Sequence, residues 1–199
     1  MKQVLQFKIT LLDTKPPIWR RIQIADTCTF WDLHVAIQDA MGWEDCHLHQ
    51  FIVCSGQRRT PDKRIFIGFP EESFELDGTL ISWETKINEY LTPEYQIMYE
   101  YDFGDSWEHE IKFEGNFDKI TGQKYPLCLE GKLACPPEDI GGIGGYYSFV
   151  EAMADKSHPE HNDYVDWYGD KFNPEVFNVK KVKFRNPKIW LKKTLENMG

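Results

Sequence analysis

Apolar and polar residues alternate along the first part of the chain, which is the pattern of a half-buried strand. The runs from Val4 to Leu11 and from Ile18 to Ile24 alternate in this way, and Lys15-Pro16-Pro17 separates them. Proline interrupts a strand because it has no backbone N–H to donate. We therefore expect the two runs to pair as a hairpin.

The pattern then changes to the helical spacing of three and four residues. Four apolar residues share one face of the predicted helix: Phe30, Leu33, Ile37 and Met41. Thr29 is a candidate N-cap, and Gly42 ends the helix. We expect the helix to lie across the hairpin. His34 shares its apolar face, so we interpret it as a buried histidine with hydrogen-bond partners.

Alternation returns further along the chain. Strands are predicted over residues 47–53 and 64–68 and twice within 96–113, and a short helix is predicted over 81–91. An order of strand, strand, helix and further strands is typical of an α+β domain. We predict a β-grasp-like fold, in which a mixed, mostly antiparallel sheet is covered on one face by the helix.

Residues 96–113 sort aromatic residues from carboxylates on either side of a Gly-Asp-Ser turn. A three-residue loop at 104–106 pairs Phe103 with Trp107 and Tyr101 with His109. This register places the aromatic residues on one face and the acids on the other, which avoids the burial of unpaired carboxylates. We therefore expect His109 on the aromatic face, as a structural or pocket-lining residue.

After about residue 115 the alternation is lost, and prolines and glycines predict a long irregular segment. Helices are predicted at about 146–154 and after Pro174, where Asn173 is a candidate N-cap. These stretches hold too few apolar residues for a second core. We expect one domain over 1–199, with a β-grasp-like core at 1–114, a loop and helix wrap at 115–177 and a basic tail at 178–199.

Charge is divided unevenly between this tail and the rest of the chain. Residues 178–199 contain seven Lys or Arg and one acid, which gives +6, whereas the remaining residues contain 16 Lys or Arg and 31 acids, which gives −15. A basic tail can bind nucleic acid by counterion release, dock on its own acidic body or remain solvated. Because the acidic body repels phosphate, we expect any nucleic-acid binding to be weak and confined to the tail.

Histidines and carboxylates are the candidates for chemistry. Histidine is the usual general base near neutral pH, and carboxylates hold divalent cations or form acid–base pairs. The carboxylates can act together if the Pro-Pro-Glu-Asp loop packs near the hairpin tip. Candidate catalytic residues are His109, His49, Asp102 and Glu138. Candidate binding residues are Asp102, Asp105, Trp107, His109, Glu138, Asp139 and Tyr146.

Each of these residues also has a structural interpretation. Histidines at strand positions, such as His47 and His49, are as consistent with hydrogen bonding at the edge of the core as with metal binding. Asp105 can close a turn, and Glu138 and Asp139 can bind backbone amides of the glycine-rich loop. The sequence leaves these alternatives open.

Cysteine spacing predicts no zinc site. The chain has five cysteines, and Cys128 and Cys135 lack the close-paired spacing of structural zinc ligands. We expect no cofactor and no bound metal, and we expect a cytoplasmic protein with reduced thiols. Because the apolar runs are far shorter than the roughly 20 residues that span a bilayer, we also expect no membrane segment.

Several strings together resemble one known family. They are Pro17-Ile-Trp-Arg-Arg21, Leu33-His34 through Gly42-Trp43, His47-Leu-His-Gln-Phe51, Tyr101-Asp-Phe-Gly-Asp-Ser-Trp-Glu-His109, Tyr125-Pro-Leu-Cys128 with Gly131, Cys135-Pro-Pro-Glu-Asp139 with Gly141-Gly142 and Gly145-Tyr146, and Asn173-Pro-Glu-Val-Phe177. On these residues the chain resembles the plasmid pRiA4b ORF-3-like family over nearly its whole length. Asn173 departs from the family pattern, which has aspartate there, and would still cap a helix.

The resemblance implies a fold more than a function. Members of the family are often encoded near mobile elements, and some carry a resolvase label without a demonstrated activity. We interpret the protein as a binding or interaction module with a protein partner, accessory to a mobile element, that uses the groove between hairpin and glycine loop. The alternatives are a divalent-metal-dependent hydrolase with a carboxylate–histidine site and a weak nucleic-acid binder that uses the basic tail. The sequence favours a role without catalysis.

Overall fold

Eight strands form one sheet in the computed structural model, which describes residues 3–57, 60–69 and 78–198. The strands are β1 (Gln3–Leu11), β2 (Ile18–Ala25), β3 (His49–Gln57), β4 (Thr60–Gly68), β5 (Leu80–Ile81), β6 (Tyr95–Tyr101), β7 (Trp107–Asp118) and β8 (Leu127–Lys132). Their order across the sheet is β5-β4-β3-β6-β7-β1-β2-β8. Neighbouring strands are antiparallel except β4 and β5. The α+β class and the mostly antiparallel sheet are confirmed.

Four α-helices accompany the sheet in the described part of the chain. They are α1 (Phe30–Met41), α2 (Gly142–Ala154), α3 (His161–Tyr168) and α4 (Pro187–Met198), and short 3-10 helices lie at Ile87–Tyr90 and Val179–Lys181. Thr29 caps α1 by accepting from the Asp32 N–H, and Gly42 ends the helix at a φ of 103°. Across these described helices, none has the length and apolar character that a bilayer crossing requires.

Helix α1 is covered on both sides, which explains why so much of its surface is buried. On the sheet side Phe30 packs edge-on against Phe51 of β3. On the other side the Trp31 indole N–H donates to the Pro187 carbonyl at 2.9 Å, and Arg185 Nε lies 2.6 Å from Asp39 Oδ1. The basic tail therefore docks on the acidic body of its own chain.

The hairpin of β6 and β7 forms in a register two residues away from the predicted one. Tyr101 pairs with Trp107 and Tyr99 pairs with His109, so the loop covers five residues, 102–106. Asp102 and Ser106 both have positive φ, and the Ser106 N–H donates to the Asp102 carbonyl at 2.6 Å to close this wider loop. A shift of two residues preserves the faces of a strand. His109 therefore lies on the buried aromatic face, as predicted, whereas Phe103 is exposed in the loop.

Two helix predictions were wrong. Residues 81–91 form the end of β5, a turn and the 3-10 helix rather than one helix, since Thr29 forms a bridge with Lys86 and the Phe30 N–H donates to the Thr85 carbonyl. No helix starts at Pro174, because the Asn173 side chain accepts from the Glu175 N–H and closes only a local turn. The predicted stretch at 146–154 does lie within α2.

Strand β8 lies within the segment predicted to be irregular, and it extends the sheet beyond β2. Packing requires a glycine at position 131 of this strand, because an added Cβ would lie 2.5 Å from the Phe177 ring and 2.8 Å from Arg20 Cδ. Phe177 stacks on the Arg20 guanidinium at 3.8 Å. Phe149 of α2 is fully buried in the same core cluster as β1 and β2 residues. The C-terminal part thus adds to the core built by the N-terminal strands.

Candidate functional site

Three loops meet at one end of the sheet. They are the segment 43–48 after α1, the β6–β7 loop at 102–106 and the segment 133–141 between β8 and α2. Asp105 Oδ2 accepts from the Gly141 N–H at 3.0 Å, and Glu138 Oε1 accepts from the Glu44 N–H at 2.7 Å. The Pro-Pro-Glu-Asp loop therefore packs at the hairpin tip, which is the contact that the predicted carboxylate site requires.

The first turn of α2 packs close to the hairpin because its glycines have no side chains. Gly142 has a φ of 67°, and an added Cβ there would lie 2.6 Å from the Asp105 carbonyl oxygen. At Gly145 an added Cβ would lie 1.8 Å from the Ile140 carbonyl oxygen. These glycines permit tight backbone packing.

The meeting point gathers Cys46, His47, Asp102, Glu138 and Asp139, which we call the loop cluster. His47 Nε2 lies 2.9 Å from Asp139 Oδ1 and 3.6 Å from Asp102 Oδ2. These distances suggest an ion pair, yet the enclosed Nε2 makes no hydrogen bond of acceptable geometry with any described residue. A hydrogen bond weakens steeply when its N–H points away, so the short distances alone do not give His47 a hydrogen-bond partner here.

Tyr101 links the other two members of the loop cluster. Its hydroxyl donates to Glu138 Oε1 at 3.1 Å and accepts from the Cys46 N–H at 3.1 Å. Burial raises the pKa of Glu138, although hydrogen bonds from Glu44 and Tyr101 partly offset this rise. Burial also raises the pKa of the Cys46 thiol, so Cys46 is protonated at neutral pH.

A groove of about 840 Å³ runs beside the loop cluster. Its lining includes the acids Glu44, Glu138 and Asp139 and residues of the segment 167–182, among them Trp167 and Tyr168. Two lysines, Lys171 and Lys181, also line this groove. Acidic and aromatic side chains thus line one open site.

A smaller cavity of about 260 Å³ adjoins the groove. Its lining consists of Asp139, Ile140, Glu160, Asp163, Tyr164 and Trp167. Trp167 and Asp139 line both spaces, and the Trp167 side chain is 50% exposed. An aromatic ring surrounded by carboxylates attracts cations through the negative face of the ring and through charge.

A second polar group lies inside the molecule and consists of His34, Gln38, Asp45, His49 and Tyr99, which we call the interior cluster. His34 Nδ1 lies 2.9 Å from the Tyr99 hydroxyl and its Nε2 lies 2.8 Å from Asp45 Oδ1. The His34 and His49 rings stack with centroids 3.5 Å apart. Burial lowers the pKa of His49 well below its ordinary value, so this ring is neutral.

The tail closes the interior cluster from outside. The Trp190 indole N–H donates to Asp45 Oδ2, and the other oxygen of this carboxylate faces His34. Burial opposes ionisation of Asp45, but His34 and Trp190 hold its pKa below the usual range. The buried carboxylate is therefore charged and satisfied, as buried polar groups normally are. His34 is the satisfied buried histidine that its helix face predicts.

The structure brings together the predicted carboxylates but not the predicted histidines. Asp102, Asp105, Glu138 and Asp139 converge at the three loops. His109 is fully buried beside Tyr99, and burial lowers its pKa to about 4. Three predicted residues, Trp107, Tyr146 and His49, are also buried in the core.

His47 takes the place at the carboxylates that His49 and His109 were predicted to fill. No signal in the sequence separated it from His49, since the predicted strand over 47–53 places both histidines on one face, whereas β3 begins only at His49. Cys46 was not among the candidate residues, although it precedes His47 in the chain. Trp167 was also missed, because its exposure depends on how α3 packs.

Comparison with known proteins identifies the family. A model of the family described as plasmid pRiA4b ORF-3-like protein matches residues 3–181. The chain belongs to this family. This pRiA4b ORF-3-like protein is 35% identical over 169 residues to "Uncharacterized protein y4hQ" of Sinorhizobium fredii (strain NBRC 101917 / NGR234), with 83% of this chain and 81% of that protein covered.

The fold of this pRiA4b ORF-3-like protein is also seen in a solved structure. It resembles the crystal structure of a protein of unknown function, MM3350 from Methanosarcina mazei Go1, with a TM-score of 0.81 and 39% sequence identity. The similarity covers 92% of this chain and 99% of that chain. The family match ends at Lys181, before Arg185, which contacts Asp39, and before Trp190 of α4, which contacts Asp45.

Proposed function

We propose that this protein is a binding module that holds a basic segment of a partner protein in the groove and its adjoining cavity. The observation that carries the proposal is Trp167. Its half-exposed ring borders both spaces, and each space is lined by carboxylates. A large aromatic residue exposed in a concave site is typical of a binding surface.

The chemistry of the walls favours a cationic ligand. Lys or Arg side chains bind over an indole face and are attracted further by nearby carboxylates. Asp139, Glu160 and Asp163 line the smaller cavity with Trp167. We assign this cavity to one Lys or Arg side chain of the partner. Tyr168 and Val176 supply apolar surface along the larger groove for neighbouring residues.

The overall charge supports the same class of partner. Residues before 178 carry a formal charge of −15, which attracts basic segments and repels phosphate. Lys171 and Lys181 in the groove lining are available for carbonyl oxygens of a bound segment. We therefore favour a peptide over a nucleic acid as the occupant.

Fluorescence anisotropy with two labelled nine-residue peptides tests the proposal. One peptide alternates lysine with leucine, and the other replaces every lysine with glutamate. We expect saturable binding of the lysine peptide alone. Trp167→Ala should weaken that binding about 5- to 30-fold, the range of one desolvated cation–π contact. Asp163→Asn should weaken it less.

Trp19→Ala is the matched control, because Trp19 also lies near cationic groups, with Lys8 Nζ 4.7 Å from its ring, but lines neither space. It should leave binding unchanged. Equal binding of the two peptides, or equal losses in the two tryptophan variants, would refute the proposed site.

The hydrolase is the weaker proposal. What supports it is the convergence of an imidazole with carboxylates in the loop cluster. Its predicted bases, His109 and His49, are buried in the core, so His47 would have to act as the base. Hydrolysis of a generic phosphodiester substrate that is lost in His47→Gln and retained in His49→Gln would favour this alternative.

Nucleic-acid binding by the tail is the third proposal. The proposal is supported by six exposed lysines of the tail: Lys180, Lys181, Lys183, Lys188, Lys192 and Lys193. Arg185 is already paired with Asp39, which reduces the charge that remains for phosphate. We expect weak, salt-sensitive binding that disappears when the chain is truncated at Asn178.

Three further expectations stay proposals alongside this function. A β-grasp-like arrangement is supported by the predicted order of the first strands and the helix. An accessory role for a mobile element is supported by the family resemblance alone. A cytoplasmic location is supported by five free cysteines in the structure.

A further inference from the structure

We propose that the loop cluster binds a divalent first-row transition metal ion, with His47, Asp102 and Asp139 as its protein ligands. This inference goes beyond the binding of a basic segment and does not depend on it. The three residues come from three different loops, and their donor atoms all lie within 4.8 Å of one another.

The separations between donor atoms fit ligands that share one ion. With metal–ligand bonds of about 2.1 Å, neighbouring ligands lie about 3.0 Å apart in octahedral and about 3.4 Å apart in tetrahedral geometry. His47 Nε2 lies 2.9 Å from Asp139 Oδ1 and 3.6 Å from Asp102 Oδ2. These values bracket both geometries.

The orientation of His47 supports an ion over a hydrogen bond. Its Nε2 is enclosed but makes no hydrogen bond with the described residues, although both carboxylates are near. Such an exception requires a physical explanation. His49 and His109 also have an unpartnered Nε2, but neither belongs to a group of potential metal ligands in the described part of the chain.

A backbone hydrogen bond also orients the Asp102 carboxylate as a metal ligand. Its Oδ1 accepts from the Gly104 N–H at 2.9 Å, which turns Oδ2 toward His47. Hydrogen bonds of this kind orient the first ligands of a metal site. Asp139 is mostly exposed, so the site opens to solvent, where water completes the coordination.

A second group of potential ligands, Cys46, His47 and Glu138, shares the same imidazole. We favour the carboxylate pair over this group. Glu138 is already bonded to the Glu44 N–H and the Tyr101 hydroxyl, and Cys46 Sγ lies 3.8 Å from the same hydroxyl.

The ligand set indicates the class of metal. Imidazole suits zinc and other first-row ions, whereas sites for Mg²⁺ and Ca²⁺ are built from oxygen ligands. We therefore expect Zn²⁺ to bind more tightly than Mn²⁺, and Mg²⁺ not to compete. Cysteine spacing gave no indication of this site because no cysteine pair forms it.

Isothermal titration calorimetry of the full chain with ZnCl₂, after treatment with a chelator, tests the inference. We expect one Zn²⁺ per chain, with weaker binding of Mn²⁺ and no heat from Mg²⁺. His47→Ala and Asp102→Asn should each reduce zinc affinity at least about tenfold. If Asp102→Asn does not fold, Asp139→Asn replaces it in this test, since Asp139 is the more exposed of the two.

His158→Ala is the matched histidine control and should bind zinc as the wild type does. Cys46→Ser should also retain binding. Unchanged affinity in His47→Ala would overturn the site, and loss of binding in Cys46→Ser would overturn the assigned ligands. The lysine-peptide assay is run in chelator, so its failure and the failure of the metal site can be distinguished.

Discussion

The interior cluster and the loop cluster each bring an imidazole next to carboxylate, but the two imidazoles, His34 and His47, differ in whether their ring nitrogens have partners. In the interior cluster both nitrogens of His34 have partners, and Asp45 is shared between His34 and Trp190. In the loop cluster two carboxylates approach an imidazole nitrogen that makes no hydrogen bond with any residue in the described part of the chain. The first arrangement stabilises a fold, and the second is prepared for a ligand.

His47 and His49 show how small a change in position separates the two roles. Only Leu48 lies between them, and the pairing of β3 with β6 begins at His49. His49 therefore points into the core, stacked on His34, whereas His47 lies in the preceding loop and reaches the carboxylates. Residue type alone does not distinguish a structural histidine from a binding one.

The largest expected difference between the clusters is in stability. His34→Ala removes one hydrogen-bond partner from the Tyr99 hydroxyl and one from Asp45 and creates a cavity, so it should lower the free energy of unfolding by about 3–5 kcal/mol. His47→Ala should change it by less than about 0.5 kcal/mol. Urea unfolding measures both values, and similar losses in the two variants would remove the distinction.

Acid should affect the interior histidines next. The folded pKa of His109 is about 4 against an ordinary value of 6.5, because burial disfavours the charged form. The unfolded chain takes up this proton first, so stability is full above pH 6.5 and is lost as pH falls from 6.5 to 4. The loss from this group is about 3 kcal/mol.

Unfolding measured in urea at pH 7.5 and pH 4 tests this expectation. The His49 pKa is lowered in the same direction, so it adds to the slope of stability against pH. His109→Gln removes one titrating group and should lose about 3 kcal/mol less than the wild type between these pH values. Equal losses would show that His109 is not held neutral.

The contact of the tail with Asp39 should have a smaller effect, confined to helix α1. Arg185→Ala leaves the side chain of Asp39, which is only 7% exposed, without its cation and should cost about 1–2 kcal/mol, less than a fully buried pair because Arg185 is partly solvated. Lys183→Ala is the control and should be neutral. Hydrogen exchange should increase in α1 and not at 102–106, and exchange that rises equally in both regions would contradict a local role.

The smallest effect should come from the contact that joins two loops of the site. Asp105→Ala removes the hydrogen bond to the Gly141 N–H, which is worth about 1 kcal/mol. Because this contact holds the segment of Asp139 at the hairpin tip, zinc affinity should also fall. Calorimetry measures it, with Asp163→Ala as a control. Unchanged affinity in Asp105→Ala would show that the contact does not position the ligands.

Local patterns predicted the elements whose contacts lie close in sequence. The hairpin of β1 and β2 and the capped helix α1 follow from alternation, Thr29 and Gly42. The faces of β6 and β7 were also predictable, because aromatic residues and carboxylates alternate there. Their register was not, since it depends on the backbone of Asp102 and Ser106 within the wider loop.

Long-range packing decided the features that the sequence did not reveal. Strand β8 contains Gly131, and a glycine there is more typical of a loop. The structure explains it, because the side chains of Phe177 and Arg20 occupy the space that a Cβ would fill. The sequence could not show whether the site carboxylates converge. Residues 102 and 139 are far apart in the chain, and only the folding of the chain brings them together. The same long-range packing places His47 beside these carboxylates.

The most direct test of the account is a side-chain NMR spectrum of the imidazole nitrogens, recorded on ¹⁵N-labelled protein during addition of ZnCl₂. We expect the His47 Nε2 resonance to shift and to saturate at one equivalent of Zn²⁺, while the resonances of His34, His49 and His109 remain unchanged. A shift at an interior histidine, or no shift at His47, would contradict the claim that the ligand-binding chemistry of this protein lies in the loop cluster.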